Sequence, residues 1–135
     1  MFVVDASVAL AWCFADETSD YADRILGRLE QDEAVAPAIW SLELSNGLRT
    51  AERRGRLHAS ELPRLRELLR ALPVKIEPVE LRAALSEVLE LARSLDLTSY
   101  DASYVALAAR RDMALATADA RLRAACEQAR VEVLA

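Results

Sequence analysis

Short apolar runs alternate with longer helical patterns along this chain, and the first run stops at an acid. Phe2-Val3-Val4 is apolar and partly β-branched, and Asp5 follows it. Such a run reads as a buried strand. Ala34-Val35-Ala36 before Pro37, Ala114-Leu115-Ala116-Thr117 and residues 131–134 read the same way. Residues 75–79 form another candidate, which Pro78 marks as short or lying at an edge. Helical spacing predicts helices over residues 6–14, 19–31, 39–54, 80–95, 100–111 and 119–129. One more helix is expected to begin at Ser60 as N-cap, with Pro63 in its first turn and Leu62, Leu65, Leu69 and Leu72 along one stripe. Strands separated by helices must be joined by crossovers, which implies a parallel sheet covered on both faces. The 135 residues carry no internal repeat and no linker, so one α/β domain over 1–135 is expected.

Charge narrows the choice of partner. Formal net charge is −5, which by itself argues against nucleic acid. Its distribution qualifies that, because the segment from Arg49 to Arg70 holds seven arginines and only three glutamates. A basic segment on an otherwise acidic chain can hold a phosphate backbone, although a solvated helix face has the same composition. No apolar run approaches the roughly 18 residues of a membrane span, and no basic lead precedes the first apolar run. A cytoplasmic location is expected. Cys13 and Cys126 fall inside helical patterns without metal-ligand spacing, as small buried residues of a reduced compartment do.

Four acids stand out by position. In an open parallel sheet, ligands bind beyond the carboxyl ends of the strands. Asp5 ends the first strand and Asp119 follows the Ala114–Thr117 strand by two residues. Each also opens a helix, so an N-cap is the simple alternative. Asp101, in Thr98-Ser99-Tyr100-Asp101-Ala102, lies in the first turn of a helix, where an acid favours the dipole. Glu43 is harder to explain structurally. It lies within Trp40-Ser41-Leu42-Glu43-Leu44, beside an apolar face, where a glutamate needs a partner. Asn46, three residues on, shares its face, and Ser7, Ser99 and Thr117 lie near the acids as hydroxyl donors.

Carboxylates about 5 Å apart repel by about 3 kcal/mol per pair at an effective dielectric near 20. Protons or a cation must neutralise such a group. Oxygen-only donors select Mg²⁺ or Mn²⁺ over zinc, and the single histidine, His58, lies away in the basic segment. Magnesium held by carboxylates suits phosphodiester hydrolysis. Residues alone therefore reach an acidic site for phosphate chemistry.

The segments Val4-Asp5-Ala6-Ser7-Val8, Trp40-Ser41-Leu42-Glu43-Leu44-Ser45-Asn46, Tyr100-Asp101-Ala102-Ser103-Tyr104-Val105-Ala106-Leu107-Ala108 and Ala116-Thr117-Ala118-Asp119 resemble the motifs of PIN-domain proteins, and more narrowly those of VapC-type toxins of toxin–antitoxin pairs. Order and spacing match over nearly the whole chain. The resemblance implies a three-layer α/β/α fold with a central, mostly parallel sheet of four or five strands. It also implies Mg²⁺-dependent endoribonuclease activity, with Mn²⁺ as substitute, homodimerisation, and inhibition by a VapB-type antitoxin. By position, Asp5, Glu43, Asp101 and Asp119 match the family's acids, Asp5 and Asp101 foremost as metal ligands. Ser7, Asn46 and Thr117 match its supporting polar positions. Arg49, Arg53, Arg54 and Arg56 are candidates for the RNA backbone, and the leucines of 62–72 for half of a dimer contact, which a core-facing stripe explains equally. One departure is Arg111-Asp112-Met113, where the family often has a glycine turn. Two other readings remain open: a metal-dependent phosphatase, which lacks its usual second aspartate because Ala6-Ser7 follows Asp5, and a non-catalytic partner-binding domain whose acids are only caps.

Overall fold

The computed structural model describes residues 1–135. Four strands, β1 (Phe2–Val4), β2 (Ala34–Pro37), β3 (Val74–Glu77) and β4 (Leu115–Ala116), form a parallel sheet in the order β3-β2-β1-β4. Eight helical segments surround it: α1 (Ala6–Cys13), α2 (Asp20–Arg28), α3 (Ile39–Arg53), α4 (Leu62–Arg70), α5 (Leu81–Ala83), α6 (Leu89–Leu95), α7 (Ser99–Arg111) and α8 (Ala120–Gln128). The steps β1→β2→β3 run one way along the sheet, and the step to β4 returns past β1. Right-handed crossovers therefore put α1–α4 on one face and α5–α8 on the other. Contacts agree, since α1 packs on α2 and α3 while α7 packs on α6 and α8. The reversal of direction places a switch point between β1 and β4.

Coverage on both faces explains why Phe2, Val3 and Val4 are all buried, as are Val35, Leu115 and Ala116. A cluster of 23 buried residues unites these strands with Val8, Ile25, Tyr104, Leu107 and Leu122 from the helices. The leucine stripe of α4 belongs to the interior. Leu65 is fully buried in a second cluster with Cys13, Phe14, Ala51 and Leu57, and Leu69 packs against both clusters. No helix is long and apolar enough to cross a membrane. Burial in these clusters pushes both thiols up to about 11, so they stay protonated and inert.

Several expected boundaries shift for local reasons. The last strand contracts to one parallel bridge, Leu115 to Val133, with the Leu134 N–H donating to Leu115 O at 2.9 Å. Ser60 does not cap a helix. A 3-10 turn over Ala59–Glu61 leads directly into α4, and Pro63 sits in that helix's first turn. The helix expected over 80–95 is interrupted by a π-helical turn, Ala84–Val88, between α5 and α6. Ser19, expected as the first residue of its helix, stands outside it as the cap of α2, accepting from the Ala22 N–H at 3.1 Å. In place of the glycine turn, Asp112 takes φ 51° and ends α7, a left-handed position that aspartate tolerates better than most residues. Gly55 ends α3 at φ 73°. Gly47 lets α1 and α3 approach, since a Cβ there would lie 2.6 Å from Leu10 Cδ1.

Leu65 closes the satellite core beneath α3 and α4. Leu65→Ala should cost about 2–5 kcal/mol, lowering the melting temperature by roughly 10 °C or more, whereas Leu42→Ala at an exposed position should change stability by less than about 0.5 kcal/mol. Thermal unfolding followed by circular dichroism measures both.

Candidate active site

Asp5 leaves β1 at the switch point and is only 5% exposed. Its position is that of the α1 N-cap, yet its side chain makes no capping bond. Instead Oδ2 accepts from two hydroxyls, Ser7 Oγ at 2.6 Å and Thr117 Oγ1 at 2.7 Å. This leaves Oδ1 free of side-chain donors. Each hydroxyl is itself fixed from behind: Ser7 Oγ accepts from the Ala118 N–H and Thr117 Oγ1 from the Asp119 N–H, both at 3.1 Å. Thr117 is completely buried, so its hydroxyl is satisfied wholly by this arrangement. Strand β4 and the turn after it thereby orient the acid at the end of β1.

The other three acids approach from separate elements. Glu43 stands on α3, half-buried, where its Oε1 accepts from the Tyr104 hydroxyl at 2.6 Å. Asp101 lies in the first turn of α7, but Thr98 caps that helix, taking the Asp101 N–H at 3.1 Å. The Asp101 carboxylate makes no hydrogen bond or ion pair within the chain and does no capping. Asp119 alone serves as a cap, with Oδ1 accepting from the Arg121 and Leu122 N–H groups at 2.8 and 3.3 Å. The structure thus removes the capping explanation from Asp5 and Asp101 and keeps it for Asp119.

Electrostatics tie the acids together. Burial raises the Asp5 carboxyl above the usual range, against the pull of Ser7, Thr117 and the Ala6 backbone, and Asp119 pushes it further up. Glu43 is raised by burial, relieved by Tyr104, and raised again by Asp5 and Asp101. Asp101 is raised by burial and then by Asp5 and Asp119, with Arg121 as the only cation opposing. None of the four takes part in an ion pair. Tyr104 is completely buried and its phenol is driven upward by burial and by Glu43, so it remains a proton donor.

The donor set can be tested against a metal. Every candidate ligand is an oxygen, as a hard divalent ion demands, and the unneutralised repulsion is of the kind a cation relieves. No group of three or more His, Cys, Asp or Glu side chains stands ready to hold a metal ion. Magnesium fits this sparse arrangement, because it is commonly held by one or two carboxylates and keeps several waters. Zinc, which wants nitrogen or sulfur, does not.

The remaining candidates lie further out. Asn46 is exposed on α3 and makes no hydrogen bond there. Arg49 pairs with Glu52 at 2.7 Å, and Arg56 pairs with Asp16 and Glu17 while lying over the Phe14 ring. Arg53 and Arg54 are exposed and enter no ion pair, which leaves them the freer of these four arginines. Two contributors escaped the sequence reading. Tyr104 lies one helical turn after Asp101, a spacing that signals a shared face. Arg123 donates from Nε to Thr117 O at 3.0 Å and stacks 4.4 Å from the Tyr21 ring, a tertiary pairing with no local signature.

A raised carboxyl pKa means that the folded chain binds that proton more tightly than the unfolded chain. Its contribution to stability is complete below the ordinary carboxylate range and is lost as pH rises through the raised value. At neutral pH the Asp101 charge therefore opposes folding, and no hydrogen bond within the chain offsets it. Asp101→Asn should raise the melting temperature by a few degrees at pH 7. The gain should shrink as pH falls through the raised value and be gone below the ordinary carboxylate range, where wild type is protonated too. Melting curves across pH test the sign.

Comparison with known proteins agrees with this architecture. The model of the PIN domain matches residues 2–128. Ribonuclease VapC9 of Mycobacterium tuberculosis is 37% identical over 122 residues, covering 90% of this chain and 88% of that one. Ribonuclease VapC3 of Pyrobaculum aerophilum is 33% identical over 124 residues, covering 89% and 90%. Among solved structures, PAE2754 from Pyrobaculum aerophilum superposes with a TM-score of 0.69 at 28% identity, over 92% of this chain and 84% of that one. With a domain model matched from the first strand to the last helix, and VapC relatives above 30% identity along nearly its whole length, the chain belongs to the PIN domain family and is of the VapC type.

Proposed function

We propose that this chain is a Mg²⁺-dependent endoribonuclease, the toxin of a VapBC-type pair, cleaving RNA phosphodiesters by attack of an activated water. The observation that carries the reading is the buried Asp5 carboxylate. It sits at the switch point with both hydroxyl donors on one oxygen, and Glu43, Asp101 and Asp119 are close enough to repel it or one another with no ion pair to relieve them. The ribonuclease names of the VapC relatives support the substrate class.

In this reading Asp5 and Asp101 hold the ion, and Glu43 and Asp119 complete the acidic rim. When bound, Mg²⁺ or Mn²⁺ supplies Lewis acidity toward water and toward a phosphodiester oxygen. Ser7 and Thr117 fix the Asp5 carboxyl by occupying Oδ2 and leave Oδ1 without a side-chain donor. Tyr104 fixes one oxygen of Glu43 and leaves the other available. Arg53 and Arg54 stand ten residues or more beyond Glu43 on α3, about 15 Å along the helix, a reach suited to neighbouring phosphates of a bound strand. Arg49 and Arg56 would join them only by exchanging their carboxylate partners for phosphate. The same reading supplies a VapB-type antitoxin and a second copy of the chain as protein partners, and a cytoplasmic setting.

Purified protein should cut single-stranded RNA in the presence of Mg²⁺ and stop when EDTA is added. Asp5→Asn and Asp101→Asn should abolish cleavage while the circular dichroism spectrum stays native, and full activity in either variant would sink the proposal. Cation binding also has a readout apart from catalysis. Millimolar Mg²⁺ or Mn²⁺, at about tenfold over its dissociation constant, should add about 1.4 kcal/mol and raise the melting temperature by several degrees. A melting temperature indifferent to both metals would count against the site.

A further inference from the structure

Phosphate chemistry among carboxylates leaves an excess of negative charge. Asp5, Glu43, Asp101 and Asp119 are all anionic when ionised, and a nucleic acid strand adds a charge at every phosphate. A bound divalent ion offsets only part of that, so a cation of the chain at the rim has work left to do. The arginines already described are distant or committed. Arg53 and Arg54 stand about 15 Å along α3 from Glu43. Arg49 and Arg56 hold carboxylates of their own. Arg123 is nearer, but it donates to Thr117 O and covers the Tyr21 ring. The N-terminus of α8 is no substitute, because Asp119 already takes the Arg121 and Leu122 N–H groups.

The Arg121 side chain is placed differently. It is the second residue of α8, is exposed, and belongs to no ion pair. From α8 it crosses to the connection between α6 and α7, where Nη2 donates to Asp96 O at 3.3 Å. Asp96 closes α6 in the left-handed conformation at φ 52°, and Asp101 follows in the first turn of α7. The guanidinium is thus parked on a carbonyl at the edge of the acidic site. It is the one cation that eases Asp101, and none eases Asp5 or Glu43. Seated directly on Asp101, it would compete with a metal ion for that carboxylate, and the Asp96 carbonyl holds it off. A single exposed bond to a neutral carbonyl contributes little and leaves most of the guanidinium N–H donors open. A phosphate offers a charged pair of oxygens that matches the guanidinium fork.

We infer that Arg121 is a substrate-binding residue, which leaves the Asp96 carbonyl to clamp a backbone phosphate of the RNA strand beside Asp101. The inference rests on the nuclease reading above and adds to it the residue that seats the strand. Steady-state cleavage of a short single-stranded RNA in Mg²⁺, repeated over a series of KCl concentrations, tests it. Arg121→Ala should raise KM about tenfold and leave kcat within about twofold, the split expected when a charged contact to bound substrate is lost. Loss of one phosphate contact on a single strand should also make log kcat/KM fall less steeply with log salt, by about 0.7 in slope. Arg121→Lys returns the charge and should restore the wild-type slope. Another measurement needs no RNA. The Mg²⁺ concentration that half-saturates thermal stabilisation should fall in Arg121→Ala, because a positive charge beside Asp101 is gone.

An Arg121→Ala variant with wild-type KM and salt slope would overturn the inference, whether or not its melting temperature drops, since a guanidinium that merely closes α6 moves stability alone. A higher Mg²⁺ requirement would also overturn it, by making Arg121 a support for Asp101. Wild type that cleaves no RNA removes the nuclease reading and this inference together. Wild type that cleaves while Arg121→Ala matches it removes this inference only.

Discussion

One carboxyl group is held inside the molecule without a cation, and much of the local structure is arranged to tolerate it. Asp5 has to be at the end of β1 because the strand ends there, and the strand is buried because helices cover both faces of the sheet. Leaving a charge in that place costs free energy that two hydroxyls offset only in part. Thr117 can serve because β4 lies beside β1 in register, Val4 against Ala116, which puts the next residue of each strand side by side. Ser7 can serve because α1 begins at once. The hydrogen bonds to Asp5 are thus a consequence of strand register, and a slip of one residue in β4 would remove Thr117 and turn its hydrophobic neighbours the wrong way.

The same crowding works against stability. Asp5, Glu43 and Asp101 are each raised first by burial and then by a neighbouring acid: Asp5 by Asp119, Glu43 by Asp5 and Asp101, and Asp101 by Asp5 and Asp119. Natural selection for folding alone would replace such a group with amides or apolar residues. Such a concentration of raised carboxyls is the physical ground on which a functional site is proposed here. Asp119 differs, because its cap bonds give it a structural occupation as well.

Much of this was legible in the sequence because it is local. The strand ending at Asp5, the end of α3 at Gly55 and the placing of the four acids all rest on near neighbours and on the general rule for parallel sheets. What escaped is tertiary. The Tyr104–Glu43 bond joins residues 61 positions apart and has no periodic trace. The α4 leucines looked as suitable for a partner as for a core, since helical spacing says which residues share a face but not what lies opposite it. The π-helical turn and the 3-10 entry to α4 depend on how the connections fit between packed elements. The contraction of the last strand reflects its place at the sheet edge, beyond a β4 only two residues long.

That last bridge has a further reach. The Tyr21 hydroxyl donates to Leu134 O at 2.8 Å, Arg123 lies across the Tyr21 ring, and Arg123 also grips the Thr117 carbonyl whose residue orients Asp5. The final residues are therefore linked to the innermost carboxylate by a continuous run of contacts: tail, phenol, guanidinium, threonine, aspartate. Fraying at the edge of the sheet loosens the far end of that run. In mechanical terms the tail works as a guy-rope, with its peg at the rim of the sheet and its load at the centre.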